Sequence, residues 1–203
     1  MIGVIDYGMG NLHSVEKALQ SLGAPCRRLN NAELDAEISA LLLPGVGAFD
    51  PAMERLDSLG WSAALQAWSS AQRPLLGICL GLQLLFDSSA EGARAGLGLL
   101  GGRVEPLPAQ PQERCPHMGW APLQPASCSP LISAEGEPTW MYFVHSFAAI
   151  PSDPEVVTAT APYGNSSVVA AVGSGRLQAT QFHPEKSGRC GLQLLQRWLG
   201  SLE

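Results

Sequence analysis

Cys79 sits at the centre of the pentapeptide Gly77-Ile78-Cys79-Leu80-Gly81. The apolar stretch Leu75–Ile78 leads in, and a helix-like run, Leu80–Phe86, leads out. A thiol in a G-x-C-x-G frame between a strand and a helix is the sulfur version of the nucleophile elbow. The glycines are needed because side chains would clash with neighbouring backbone in so sharp a turn. Such a turn exposes the thiol at a helix N-terminus, where unpaired N–H groups favour thiolate over thiol. Far downstream lies His183-Pro184-Glu185, a base and a carboxylate two residues apart. A histidine can relay the protons, and a carboxylate can hold its tautomer and support its cation. Cys79, His183 and Glu185 together predict acyl transfer through a thioester.

Each residue also has a plainer reading. A free cysteine is most often a small core residue, but a core cysteine does not need two flanking glycines. His13, His117 and His145 rival His183. His183 is preferred because it follows a strand-like segment, Leu177–Gln181, and open α/β sheets present their sites at strand ends. Pro44-Gly45-Val46-Gly47 could be a mere turn. Its place after a strand, upstream of the elbow, suits a loop that turns N–H groups toward an oxyanion, with the Leu80 N–H as second donor. Gln83, one helical turn past Cys79, is either a surface residue or a contact for a substrate amide. Gly8-Met9-Gly10 follows a strand and opens a helix, but the dinucleotide fingerprint lacks its third glycine.

The elements that must position these groups can be read in outline. Ile2–Ile5 and Ala40–Leu43 are short apolar runs with the look of buried strands. A helix is expected from about Asn11 to Leu22, with Leu12, Val15, Leu19 and Leu22 at helical spacing and Gly23 at its end. Two more follow near Asp50–Leu56 and Trp61–Ser70, and Pro74 introduces the elbow strand. Alternating strands and helices predict an α/β fold, a central, mostly parallel sheet covered by helices on both faces. After Gly92 the texture changes, with Gly101-Gly102, Pro106, Pro108 and Pro111 in quick succession. Trp140–Val144, Val156–Thr160, Val168–Val172 and Leu177–Gln181 read as strands, with antiparallel pairing expected in this C-terminal half. Gly188–Leu199 reads as a final helix.

Composition narrows the class. With 203 residues, 46% hydrophobic and 15% charged, the chain can bury a substantial core, and a single domain over 1–203 is expected. A net charge of −6 without a basic cluster argues against nucleic acid. The N-terminus lacks the basic region of a signal peptide, and no apolar run reaches the length of a membrane span. The 5 cysteines include no C-x-x-C pair, so neither a disulfide framework nor a metal site is expected. Cys26, Cys115, Cys128 and Cys190 read as free thiols in a reducing cytoplasm, and no cofactor is called for.

Taken jointly, these motifs resemble the class I, triad-type glutamine amidotransferases. Within them the chain is similar to the glutaminase subunits of imidazole glycerol phosphate synthase. The class signals are Pro44–Gly47, Gly77–Gln83 and His183–Glu185. The narrower signals are Asp6-Tyr7-Gly8-Met9-Gly10-Asn11-Leu12, Pro116-His117-Met118-Gly119-Trp120, Tyr142-Phe143-Val144-His145-Ser146 and Phe182–Ser187. The resemblance spans essentially the whole chain. It implies that Cys79 attacks the side-chain amide of L-glutamine, with His183 and Glu185 completing the triad. It implies substrate contacts at Gly45, Val46, Gly47, Leu80, Gln83, His145 and Ser146. It implies a heterodimer with a (β/α)₈-barrel cyclase that takes the ammonia, with Asn11, Tyr142 and the Pro44–Gly47 loop near the interface. The cyclase products would be imidazole glycerol phosphate and an aminoimidazole carboxamide ribotide, in histidine biosynthesis. Two positions depart from the family pattern, Ala121 where Asn is usual and Phe147 where Tyr is usual, and both are expected toward the interface. The rival readings are a glutaminase for another synthase (anthranilate, carbamoyl phosphate or pyridoxal phosphate), a silent regulatory subunit, or a thiol redox sensor.

Overall fold

The computed structural model describes residues 1–108, 113–126, 129, 131–132 and 139–202; Cys128 lies outside them. In chain order the first half contains β1 (Ile2–Ile5), α1 (Leu12–Ser21), β2 (Cys26–Leu29), β3 (Ala40–Gly45), α2 (Phe49–Ser58), α3 (Trp61–Ser70), β4 (Leu75–Cys79) and α4 (Leu80–Gln83). The second half adds β5 (Ser88–Ser89), β6 (Gly102–Pro106), β7 (His117–Pro122), β8 (Gln124–Pro125), β9 (Trp140–His145), β10 (Phe147–Pro151), β11 (Val157–Tyr163), β12 (Ser166–Ser174), β13 (Leu177–Thr180) and α5 (Gly188–Gly200).

The main sheet has 8 strands in the order β2-β1-β3-β4-β13-β12-β11-β8. From β2 through β13 every neighbouring pair is parallel; β12, β11 and β8 continue it antiparallel. β3 and β4 are buried along their whole length, which is why they read as continuous apolar runs rather than alternating ones. One face is covered by α2 and α3 through Phe49, Met53, Leu56, Trp61, Leu65 and Trp68. The other is covered by α1 and α5 through Leu12, Val15, Leu19, Leu194, Leu195 and Trp198. The predicted α/β fold with antiparallel strands in the C-terminal half is the observed one.

Two expectations need correction. Strand β2 went unread because it is an edge strand with Arg27 and Arg28 exposed at its centre. Charge on an edge suppresses pairing with other chains and also erases the apolar signature. The helix expected over Leu80–Phe86 stops at Gln83. Leu84, Leu85 and Phe86 are fully buried, and their carbonyls are claimed from outside. The N–H groups of Leu97, Gly98, Leu99 and Leu100 bond to Leu84, Phe86, Leu85 and Leu85 in turn.

The register of three strands assembles the site. In β3 and β4 Gly45 is opposite Cys79, and in β4 and β13 Ile78 is opposite Thr180. The carboxyl ends of β3, β4 and β13 therefore lie side by side, bringing the Gly45–Gly47 loop, Cys79 and the segment leading to His183 together. Two small sheets, β10-β6-β5 and β7-β9, meet the segments at this edge, with Tyr142 of β9 bonded to His183 and Phe147 of β10 bonded to Gln83.

Candidate active site

Cys79 adopts φ +57° and ψ −111°, a conformation that costs a non-glycine residue on the order of 1–3 kcal/mol. The surroundings hold it there. A Cβ at Gly81 would drive into the Leu43 carbonyl oxygen, and one at Gly77 would sit 3.0 Å from the Gly81 carbonyl. Both glycines of the pentapeptide are thus required by close packing. Because α4 is only 4 residues long, its dipole is small, and the cation coupled to the sulfur is His183.

His183 and Glu185 are buried, each side chain 2% exposed, with Nδ1 and Oε1 2.8 Å apart. The strand pair β7-β9 pins the histidine backbone. The His183 N–H bonds to the Tyr142 carbonyl at 2.9 Å, and the Ser187 hydroxyl donates to the His183 carbonyl at 2.6 Å. Nε2 makes no formed hydrogen bond, although Cys79 acts on the ring's charge; such looseness is common before substrate binds. Burial opposes the imidazolium, but the Cys79 thiolate and the Glu185 carboxylate outweigh it and push His183 up to about 9.

The pairing makes stability depend on pH. An unfolded histidine titrates near 6.5 and the folded one near 9. The pairing therefore stabilises the fold fully below about 6.5 and is lost as pH rises through about 9. We expect the His183 ring, followed by NMR, to titrate near 9 and to fall toward the ordinary value in Cys79→Ala. An unchanged midpoint in that variant would show that the sulfur does not face the ring.

A cavity of about 400 Å³ opens over the pair, lined by Val46, Gly47, Cys79, Leu80, Gln83, His145, Ser146 and His183 among others. That is the size of a small-metabolite site. Of the expected substrate contacts, only Gly45 is absent from its wall. It lies behind, where a Cβ would meet the Tyr7 hydroxyl at 2.5 Å and Leu80 at 2.9 Å. In the loop itself the Val46 N–H is spent on the carbonyl of Met9, a residue that does not line the cavity, at 3.2 Å. His145 bonds through Nδ1 to the Phe147 carbonyl at 2.8 Å and through Nε2 to His117 Nδ1 at 3.1 Å. The carbonyl can only accept, so Nδ1 carries the proton and Nε2 accepts from His117. Burial pushes His145 down to about 4, so it remains neutral here at physiological pH.

Two residues at the site carried no pattern in the sequence. Glu91 lines the cavity, and its Oε2 accepts the Phe49 N–H at the start of α2 at 2.9 Å. A lone acid in a loop gives no motif. Gln181 is fully buried, with Nε2 3.8 Å from the Cys79 sulfur; its one signal is a polar residue in an apolar strand end, two before His183.

Asn11 is exposed at the start of α1, and it shares a narrow crevice with Val46, His183 and Glu185. Tyr142 is half-buried on β9, its ring edge-on to Trp120 at 6.0 Å. The register of β7 and β9 puts Met118, Trp120, Tyr142 and Trp140 on one face. Met118, Trp120 and Trp140 are 63%, 53% and 49% exposed, an apolar patch of the kind that marks an interaction surface. The two departures from the family pattern are not on that surface. Ala121 points inward, 4% exposed, and Phe147 lines the cavity with its carbonyl bonded to Gln83 and His145.

Residues 3–199 match the family described as glutamine amidotransferase class-I. The imidazole glycerol phosphate synthase subunit HisH of Synechococcus sp. (strain CC9605) is 56% identical over 98% of this chain and 93% of its own. HisH 2 of Parasynechococcus marenigrum (strain WH8102) is 56% identical over 100% and 95%. Among solved structures, a glutamine amidotransferase superposes with a TM-score of 0.74 at 20% identity, covering 99% of this chain and 97% of its own. PurLQS from Thermotoga maritima gives 0.72 at 19% identity over 100% and 98%; these two speak for the fold. With the elbow, the buried histidine–carboxylate pair and full-length likeness at this identity, the chain belongs to the class I glutamine amidotransferases and, within them, to the HisH subunits of imidazole glycerol phosphate synthase.

Proposed function

We propose that this chain, acting over its whole length as one glutaminase domain in the cytoplasm, hydrolyses L-glutamine and delivers the ammonia to a (β/α)₈-barrel cyclase subunit. The cyclase would use it to form imidazole glycerol phosphate and the aminoimidazole carboxamide ribotide. The observation that carries the reading is that Cys79 and His183 line one metabolite-sized cavity, with His183 paired to the buried Glu185.

The Cys79 thiolate attacks the side-chain amide carbon, and the carbonyl electrons move onto oxygen. As they return, the C–N bond breaks, and His183 gives its proton to the leaving nitrogen, which departs as ammonia. Water then attacks the thioester; His183 takes its proton, and the sulfur leaves with release of glutamate. Glu185 keeps Nδ1 protonated and supports the cation throughout. Glu91 supplies a carboxylate for the substrate's α-ammonium group, and Gln83, Val46, Gly47, Leu80, His145 and Ser146 complete the wall. The exposed Met118, Trp120 and Trp140 lie on the strand pair that carries Tyr142, and with Asn11 they are proposed as the cyclase contact. Neither nucleic acid nor membrane has a place in this reading, and no helix among the described residues is long and apolar enough to cross a membrane.

The test is ammonia release from glutamine by the chain co-purified with a cyclase subunit; none in the assembled complex would overturn the reading. Within that assay His183→Ala should cost at least about tenfold more turnover than Glu185→Gln, because the histidine moves protons and the carboxylate only orients it. Equal losses would reassign Glu185 to folding.

A further inference from the structure

Gln181 has no part in the chemistry so far, yet it is one of the few polar side chains in direct reach of the reacting atom. It is 0% exposed and does not line the cavity. Its backbone N–H bonds to the Ala170 carbonyl at 2.8 Å, which ties the segment to β12. Its side chain sits at the end of a polar chain. Gln83 Nε2 lies 3.1 Å from the Phe147 carbonyl and 3.0 Å from Gln181 Oε1, and Gln181 Nε2 lies 3.8 Å from Cys79 Sγ.

The direction of that chain is dictated by its fixed end. The Phe147 carbonyl is a backbone acceptor and must face an N–H, so the Gln83 amide nitrogen points to it. The same nitrogen has a second hydrogen and spends it on Gln181. Gln181 must then offer its carbonyl to Gln83, which leaves its NH₂ group toward the sulfur. Reversing Gln83 would set its oxygen against the Phe147 carbonyl, and reversing Gln181 would set two NH₂ groups against each other. We propose that Gln181 is a further catalytic residue, a donor that holds the Cys79 sulfur as a thiolate, oriented through Gln83 by the Phe147 carbonyl. A hydrogen bond to the charged form favours that form, and charge-assisted bonds are the stronger kind. His183 cannot serve this purpose throughout, because it gives up its proton to the leaving nitrogen during turnover. Gln181 keeps its own and supports the sulfur both before attack and when it leaves the thioester. The role deepens the glutaminase reading and rests on it.

Two variants of similar length separate the donor from the packing. Gln181→Glu retains an oxygen for Gln83 and, once ionised, sets a second negative charge in place of a donor beside the sulfur. Gln181→Met presents neither. Alkylation of Cys79 by iodoacetamide in the full chain, followed against pH, should shift its inflection upward by about one unit in Met and further in Glu. In complex with the cyclase, turnover of glutamine should fall about tenfold; KM should hold in Gln181→Glu, which keeps an acceptor for the cavity-lining Gln83, and is free to change in Gln181→Met, which does not. Alkylation profiles coincident with the unsubstituted chain overturn the proposal. Should both variants fail to fold, the unsubstituted chain still decides. The Gln181 side-chain amide NMR signals should move with the Cys79 alkylation inflection, and that movement should vanish in Cys79→Ser. Signals indifferent to the thiol overturn the proposal equally. Alkylation and NMR use no glutamine, so a failed glutaminase assay and a failed role for Gln181 remain distinct results.

Discussion

In the assembled complex, Cys79→Ala should abolish glutamine-dependent synthesis while leaving ammonia-dependent synthesis at its unsubstituted level. The sulfur is the atom that forms the thioester, and neither His183 nor any other group lining the cavity can replace it as a nucleophile at the same position. Removing the nucleophile of a comparable triad costs about 10⁶ in turnover, so hydrolysis should drop below detection. The fold should tolerate the change. Cys79 sits at the cavity floor, and the elbow is held by Gly77, Gly81 and the Leu43 carbonyl rather than by the sulfur. Alanine at φ +57° carries the same backbone strain as the cysteine it replaces. The cyclase reaction needs only ammonia, whatever its source. The measurement supplies an ammonium salt in place of glutamine at a pH where enough free ammonia is present. Loss of both activities together would mean that Cys79 holds the complex together rather than cleaving the amide.

How much of this was legible in the sequence depended on whether a feature has a local signature. Strands β1, β3 and β4 are buried on both faces, and that demand writes an unbroken apolar run into the chain. The elbow was legible because Gly81 has no room for a Cβ beside the Leu43 carbonyl, a constraint that forces a visible glycine. His183 was legible by its neighbours Pro184 and Glu185. What could not be read depends on distant partners. The helix after Cys79 ends early: the Leu85 and Phe86 N–H groups tighten onto the carbonyls three residues back, and Leu97–Leu100 take the carbonyls of Leu84–Phe86. Nothing in Leu80–Phe86 announces this. Ala121 and Phe147 were expected toward the interface on position in a motif. On β7 the side chains alternate, so exposed Trp120 turns its neighbour Ala121 inward. Gln181 and Glu91 are single polar residues whose meaning comes only from what the sheet register and the β5 loop bring beside them.

The isolated chain should be a poor glutaminase, and glutamine hydrolysis should rise about a hundredfold or more when the cyclase and its ligand are added. An oxyanion hole needs N–H donors aimed at the developing charge, and removing one costs about 10²–10³ in turnover. In this structure the Val46 N–H is spent on the Met9 carbonyl at 3.2 Å, and Met9 is not part of the cavity that Val46 lines. Met9 belongs to the loop between β1 and α1, three residues on from Asp6 and two before the exposed Asn11. A partner pressing on Asn11 would act on the carbonyl that restrains Val46. Release of that bond lets the Gly45–Val46 peptide rotate and turn its N–H inward. The rotation turns on ψ of Gly45 and φ of Val46, and the chain that must follow it passes through Gly47, which is exposed at φ +104°. The reaction has reason to wait, since ammonia made before the cyclase is ready would be lost. Gly47→Val tests the hinge. A branched side chain is strained at that φ, and its Cβ would meet the Met9 methyl at 2.8 Å, so the stimulated rate should fall while the fold survives. Gly45→Val is the wrong probe, because its Cβ would strike the Tyr7 hydroxyl and Leu80 in the core. Hydrolysis at the full rate by the chain alone would refute the gate, and the Val46–Met9 bond would then be only a loop contact.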